Sequence, residues 1–454
     1  MTPLDAGPPP ATGQAERLAV AQARRDRARL AVAQAEIAAL SAQVEALEHS
    51  PSRRALAPAR QAFKAMRRLV SPHGTAASVT EAWPGRASRG VALVIDHSWP
   101  EPDRDSGSVD IVNLMRALDR LGFHAILAAS RQHAGEQPAR DRLVAAGLRC
   151  LHPADATSVE QFIARRGPAI ALGVMCRAFC GGEFLEPLQR HARQARLVFN
   201  SVDLNFLREE RRAEFLDDDD LRAKARRAKE REELVIRNSD ATLVVSEAER
   251  QLLAETMPDV FAAYMPLARE IRSPKTGFEQ RAGIGFIGGF AHAPNVDAMR
   301  HFLAKIWPLV RQALPGCGFS IVGADAPADL ADNANGVRIL GHKADIEPWF
   351  DSLRLTVAPL RYGAGAKGKV ASSLANGVPC VVTSVAAEGM SLLDQDGVLV
   401  RDAPADFAAA IASVYTDAGR WRQLSQAGLA YAERTLSPVA WQSRLEAVVW
   451  RLGL

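Results

Sequence analysis

Aromatic residues make up only 6% of this 454-residue chain, and it has only five cysteines. Cys150, Cys176, Cys180, Cys317 and Cys380 form no C-x-x-C pair and no zinc-ligand spacing. That excludes a disulfide framework or a zinc ribbon and fits buried, reduced thiols in a cytosolic protein. No apolar run approaches the ~18 residues of a membrane span, and residues 1–10 do not have the pattern of a signal peptide, so the expected location is the cytoplasm. Nor does one sign of charge dominate: the formal net charge is +4, which gives no argument for a nucleic-acid partner. With 48% hydrophobic and 24% charged residues the composition is that of a soluble globular protein, and the length calls for two or three domains.

The chain divides by pattern. Residues 14–48 contain no Gly or Pro and carry Leu30, Ala33, Ile37, Leu40, Val44 and Leu47 at three- and four-residue spacing. This predicts a long helix with a short coiled-coil seam within residues 1–50, a candidate for homo-oligomerisation. Residues 51–89 form a linker with eight basic residues and one acidic. Within 51–70 the basic residues flank an apolar face of Phe63, Met66 and Val70, which fits an anionic membrane surface and a peripheral place on the inner membrane.

From residue 90 strands alternate with helices. Strands are expected at 91–95, 125–129, 169–174, 196–200 and 241–245, then at 285–288, 319–322, 337–340, 355–360 and 378–383. This implies parallel sheets with helices on both faces, in two doubly wound α/β domains at 90–270 and 271–435 separated by a break near residues 266–276. Ligands of such sheets lie at the carboxyl ends of the strands, in the cleft between the domains. The first helix is expected at 109–121, after the loop D-R-D-S-G-S (103–108), and a charge-dense helical stretch runs through Glu233. The aspartates 217–220 within it read as a helix cap, since neighbouring side chains at a helix start do not converge on one ion. The last segment, 436–454, is an amphipathic helix with Trp441 and Trp450 that fits either domain.

The segment G-A-G-A-K-G-K, residues 363–369, carries the most chemistry. It joins a predicted strand to a predicted helix, so helix amides, close-approaching glycines and the charges of Lys367 and Lys369 would converge on an anion. The segment nearly spells a P-loop, but Val370 stands where the magnesium-ligating Ser or Thr would be. A phosphorylated ligand, above all a nucleotide, is the expectation.

At this point the residues resemble a known family, the GT-B glycosyltransferases of family 4, in the bacterial branch that builds cell-surface polysaccharides. The resemblance rests on G-F-I-G-G-F-A-H-A-P-N-V-D-A (285–298), V-A-P-L-R-Y-G-A-G-A-K-G-K (357–369), L-A-N-G-V-P (374–379) and A-A-E-G-M (386–390). It is fainter in V-D-L-N-F-L-R-E (202–209) and V-V-S-E-A-E (244–249). It implies a GT-B fold and transfer of a sugar from a nucleotide-sugar donor, with retained anomeric configuration and without metal or other cofactor. The acceptor would be a glycan or a lipid-linked glycan.

On that resemblance the donor would meet Gly107, Gly288, Gly289, Asn295, Gly341, His342, Gly363, Gly365, Lys367, Gly368 and Lys369, with Ser372, Glu388, Gly389 and Met390. Asn205 and Arg208 would contact the acceptor from a loop, and Asp105, Asp203, His292 and Lys369 are the catalytic candidates. Asp96 and His97, at the end of the first strand, are further candidates. Two departures stand out. Many members carry a pair of glutamates where Ala364 and Ser372 stand, and relatives tend to have His at Asn205. These give weight to one rival, a catalytically silent adaptor on the same fold; the other rival, a sugar-nucleotide epimerase on that fold, would need an acid/base pair in the cleft, and no clear pair emerges.

Overall fold

The structure, a computed structural model, describes residues 89–454 except 131–136, 153 and 331–334. The helix expected over 14–48 and the basic segment at 51–70, with the oligomer and membrane roles assigned to them, lie outside the described residues.

Two six-stranded sheets organise the rest, and every strand pairing in them is parallel. The first holds β1 (Val91–Asp96), β2 (His124–Ala129), β3 (Ile170–Cys176), β4 (Arg196–Asn200), β5 (Ala241–Val244) and β6 (Ala262–Tyr264) in the order β2-β1-β3-β4-β5-β6. The second holds β7 (Ile284–Ile287), β8 (Phe319–Val322), β9 (Val337–Gly341), β10 (Leu355–Ala358), β11 (Cys380–Val382) and β12 (Val398–Val400) in the order β12-β11-β10-β7-β8-β9. Helices connect the strands, giving the two Rossmann-like domains of the GT-B fold.

Ten of these strands match the expected runs to within a few residues. The structure corrects the expectation in three places. β6 and β12, each three residues long, had no sequence signature; they sit at sheet edges, where a run is too short to show a period. β10 stops before Pro359 and β11 starts after Pro379, because proline has no N–H for the ladder. The charge-dense stretch is two helices, Asn205–Leu216 and Asp219–Arg237, broken where Asp217 takes a left-handed conformation at φ +52°. Asn205 and Arg208 are therefore helical residues and do not lie on a loop. Asp218 caps the second helix, its carboxylate accepting from the Leu221 amide at 3.0 Å, as the capping expectation for the aspartate run required.

Each sheet has its own apolar core, and the chain crosses between them twice. Residues 265–283 make the first crossing. The Ala418–Thr435 helix, with its cap residue Leu436, then packs Tyr431, Ala432 and Leu436 with Val370 and Leu374 of the second domain. The Pro438–Arg451 helix returns to bury Trp441, Leu445 and Val449 with the core of the first. Arg89 also donates to the Leu454 carbonyl at 2.9 Å, tying the chain end to β1. Among the described residues no helix is long and apolar enough to cross a membrane.

The buried Tyr431 hydroxyl donates to the Met390 carbonyl at 2.9 Å, linking the long helix to residues 386–390. Tyr431→Phe keeps the ring and orphans that carbonyl, so a loss of about 1–2 kcal/mol in denaturant unfolding is expected.

Candidate active site

The site forms where the second sheet changes winding direction. β7 and β10 are neighbours in that sheet, and their connections leave on opposite sides, so a crevice opens at their carboxyl ends. The turn after β7 brings Gly288 and Gly289 into the Ala293–His301 helix; the loop after β10 brings residues 363–367 into the Gly368–Ala375 helix. Neither helix N-terminus has a side-chain cap: His292 and Lys367 occupy the cap positions without capping bonds. Elsewhere in the crevice the corresponding amides are satisfied internally. Asp105 accepts from the Ser108 amide at 2.9 Å, and buried Glu232 accepts from the amides of Asn205 at 3.2 Å and Phe206 at 2.9 Å. At the two uncapped ends the Asn295 and Val370 amides bond back to the His292 and Lys367 carbonyls, each at 2.9 Å, and Pro294 has no N–H, so only the amides ahead of them are left for an external anion.

Lys369 joins those ends. Its ammonium donates to Asn295 Oδ1 at 2.9 Å, and Asn295 Nδ2 donates to the Gly289 carbonyl at 2.7 Å. The same ammonium lies 5.2 Å from the centre of the Phe286 ring, a further favourable contact for a cation. Lys367 serves the loop itself, donating to the carbonyls of Ala364 at 2.6 Å and Gly365 at 2.7 Å. The loop needs its glycines. Gly365 has φ +68°, and a Cβ there would stand 3.0 Å from the Asp203 Cβ of the first domain. A Cβ on Gly368 would come within 2.1 Å of Ser106 Oγ, so the N-terminus of the Gly368–Ala375 helix abuts that of the Ser106–Arg120 helix across the cleft.

The first domain supplies a charged wall. Arg208 forms an ion pair with Asp203 and a hydrogen bond to Asn205. Arg177, at a strained φ of +60° beyond β3, pairs with Asp96 at the end of β1, the switch point of the first sheet. Glu249 is buried and accepts from the Leu204 amide at 2.9 Å; its Oε2 has no hydrogen-bond partner among the described residues. His342 Nε2 approaches Asp103 at 3.4 Å across the cleft mouth.

Burial dominates the electrostatics. It pushes Lys369 down to about 7, helped by the neighbouring Lys367 charge, and Lys367 down to about 8 against the pull of Asp203 and Glu249. It raises Glu249 to about 7 and Glu232 to about 8, although backbone amides oppose both shifts. His292 is exposed at one edge, yet lost solvation and then the charges of Lys369 and Arg208 lower its imidazole and keep it neutral near pH 7. A dianion between Lys369 and the helix ends would find donors on several sides.

The structure brings together Gly107, Asp203, Asn205, Arg208, Gly288, Gly289, His292, Asn295, Gly363, Gly365, Lys367, Gly368 and Lys369 around one cleft. Asp105 sits beside it with its carboxylate bonded to the amide and hydroxyl of Ser108. Gly341 has φ +67°, and its carbonyl accepts from Gly323 at 2.9 Å. Ser372 is half-buried on the Gly368–Ala375 helix, Gly389 packs against Gly365, and the Met390 carbonyl is held by Tyr431. Both carboxylate oxygens of Glu388, a candidate donor contact, accept from Arg211. Sequence reasoning missed Arg211, Glu232 and Arg177. Arg211 is one arginine among several on a charged helix and had no distinguishing signal; Glu249 lay within a motif already noted.

Residues 281–417, which contain the uncapped helices and the lysine loop, match the model of a family described as glycosyl transferases group 1. They are a group 1 domain. This match carries the assignment of the chain as a glycosyltransferase. Among solved structures the fold is shared with sucrose-phosphate synthase from Thermosynechococcus elongatus (14% identity, TM-score 0.61, covering 80% of this chain and 99% of that one). It is shared with TarM from S. aureus, solved with UDP (9% identity, TM-score 0.62, covering 79% and 99%). It is also shared with HepE from Anabaena, solved with UDP-glucose (12% identity, TM-score 0.59, covering 80% and 100%). No curated protein matches the chain.

Proposed function

We propose that the chain transfers a sugar from a nucleotide-sugar donor, with retained anomeric configuration and without a metal ion, to a glycan or lipid-linked acceptor in cell-surface polysaccharide assembly. The observation that carries this reading is the chain of bonds from Lys369 through Asn295 to Gly289, which places one ammonium between two uncapped helix N-termini at the carboxyl edge of β7 and β10. As the bond to the sugar breaks, negative charge grows on the departing diphosphate. Preorganised amides and a cation in a desolvated crevice stabilise that charge, the task a divalent ion performs in other transferases. The donors of the group 1 domain supply the charge compensation, which supports metal independence.

The acceptor would enter against the first domain, along Asp203, Asn205 and Arg208. Retention requires the acceptor oxygen to end on the face of the sugar that the diphosphate left, so in this reading acceptor and diphosphate lie on the same side of the donor. TarM and HepE, which share the fold, were solved with UDP and UDP-glucose, so uridine nucleotides are the first donors to test.

Calorimetry of the full chain against nucleoside diphosphates and their sugars tests the reading. Binding with a Kd of about 1–100 μM, unchanged by chelator, is expected, with slow transfer of the sugar to water or to an added acceptor. Binding that vanishes with chelator would remove the metal-independent reading. Binding without any transfer would point to an adaptor, a possibility that the residues Ala364 and Ser372 raise because they supply no carboxylate pair.

A further inference from the structure

The Asn205–Leu216 helix of the first domain reaches across the cleft at two points, one turn apart. Arg211 donates to the two carboxylate oxygens of Glu388, each at 2.7 Å, and to the Gly363 carbonyl at 2.9 Å. Phe215 stacks on Tyr362, centroids 5.0 Å apart, with the Arg361 guanidinium 4.9 Å from the Phe215 ring. Every partner belongs to the lysine loop, to its flanks or to the segment packed against it. Glu388 and the loop form one mechanical unit, because its neighbour Gly389 packs so closely that a Cβ there would lie 2.0 Å from the Gly365 carbonyl.

A two-pronged guanidinium–carboxylate pair has a fixed plane and direction, so it conveys position as well as energy. Both side chains are about a third exposed (32% and 39%), so the pair adds little to global stability. Its effect therefore falls on where the loop stands.

We propose that Arg211 is a positioning residue that holds residues 363–369 and Glu388, from the opposite domain, in the arrangement that receives the donor diphosphate. The proposal rests on the donor reading above. Arg211 touches no reacting atom; it acts through the Gly363 carbonyl and Glu388 on the backbone that presents the helix end and Lys369.

Two measurements on the full chain test it. Hydrogen–deuterium exchange of residues 363–369 without ligand reads the loop directly, and titration with UDP reads the consequence. Arg211→Met is expected to speed loop exchange severalfold and weaken UDP roughly tenfold, with little change in Tm. Exchanging the charges, Arg211→Glu with Glu388→Arg, should recover protection of the loop. Loop exchange and UDP affinity in Arg211→Met equal to those of the unaltered chain would overturn the proposal. Should that variant unfold, Arg211→Lys keeps the charge and stem but loses the fork: a loosened loop at unchanged Tm supports the role, and an unchanged loop overturns it. An unaltered chain that binds no nucleoside diphosphate, while its loop loosens in Arg211→Met, would end the donor reading and leave the positioning role standing.

Discussion

Lys369→Ala is expected to weaken nucleoside-diphosphate binding by about 2–4 kcal/mol, roughly 30- to 1,000-fold, while leaving the fold intact. The size follows from its surroundings. The ammonium lies in a largely desolvated crevice, with one bond to Asn295 and a ring face beneath it. In the empty protein its charge is poorly compensated, as its lowered pKa records. A diphosphate supplies the missing counter-charge, so the interaction gained on binding exceeds that of a surface pair. Removing the lysine also frees Asn295 to turn, loosening the Gly289 carbonyl it holds. Isothermal titration with UDP, alongside Lys369→Met to preserve bulk, reads the effect. A loss under threefold in both variants would place the phosphate elsewhere.

The second large expectation is a pH dependence of the same binding. With a pKa of about 7 in the empty site, Lys369 is half protonated at neutral pH. A bound anion favours the charged ammonium and raises that pKa, so binding above pH 7 takes up a proton. Affinity should be full below pH 7 and fall about tenfold per unit as pH rises beyond it, until the bound-state pKa is reached. Lys367, at about 8, adds a second step if the anion reaches it too. His292 stays neutral across this range and contributes no step. Titration at pH 6.5 to 9 in buffers of different ionisation enthalpy would show both the fall and the proton uptake, and Lys369→Met should flatten the profile.

The same groups act on the empty fold with opposite signs. Glu232 and Glu249 bind more protons folded than unfolded, so their contribution is complete below about 4.5 and is lost as pH rises through 7 and 8. The lysines bind fewer protons folded than unfolded, so stability returns as pH climbs from about 7 towards 10. Together they set a minimum near neutral pH, and a bound anion removes the lysines' share of it.

Much of the architecture was legible because buried parallel strands are short apolar runs ended by glycine or proline. The lysine loop was legible because glycines at a strand-to-helix junction leave few other uses for two lysines. What the sequence concealed is what the two domains do to each other. Arg211 gains meaning only when Glu388, 177 residues later, is folded opposite it. Glu232 looks like one more charge on an acidic and basic helix until the packed hairpin buries it beneath the amides of Asn205 and Phe206. Lys367 and Lys369 are equivalent on paper; backbone curvature turns one inward to the loop carbonyls and the other toward Asn295.

Because the peptide passes from one sheet to the other at residues 265–283 and comes back through the final two helices, the domains are joined by two pins and not by a single tether. Relative motion is then confined to swinging about the line between those pins, and free twisting is suppressed. Opening would part the cleft lips at His342 and Asp103 most widely, while the floor near Arg269 and Ser106 moves least.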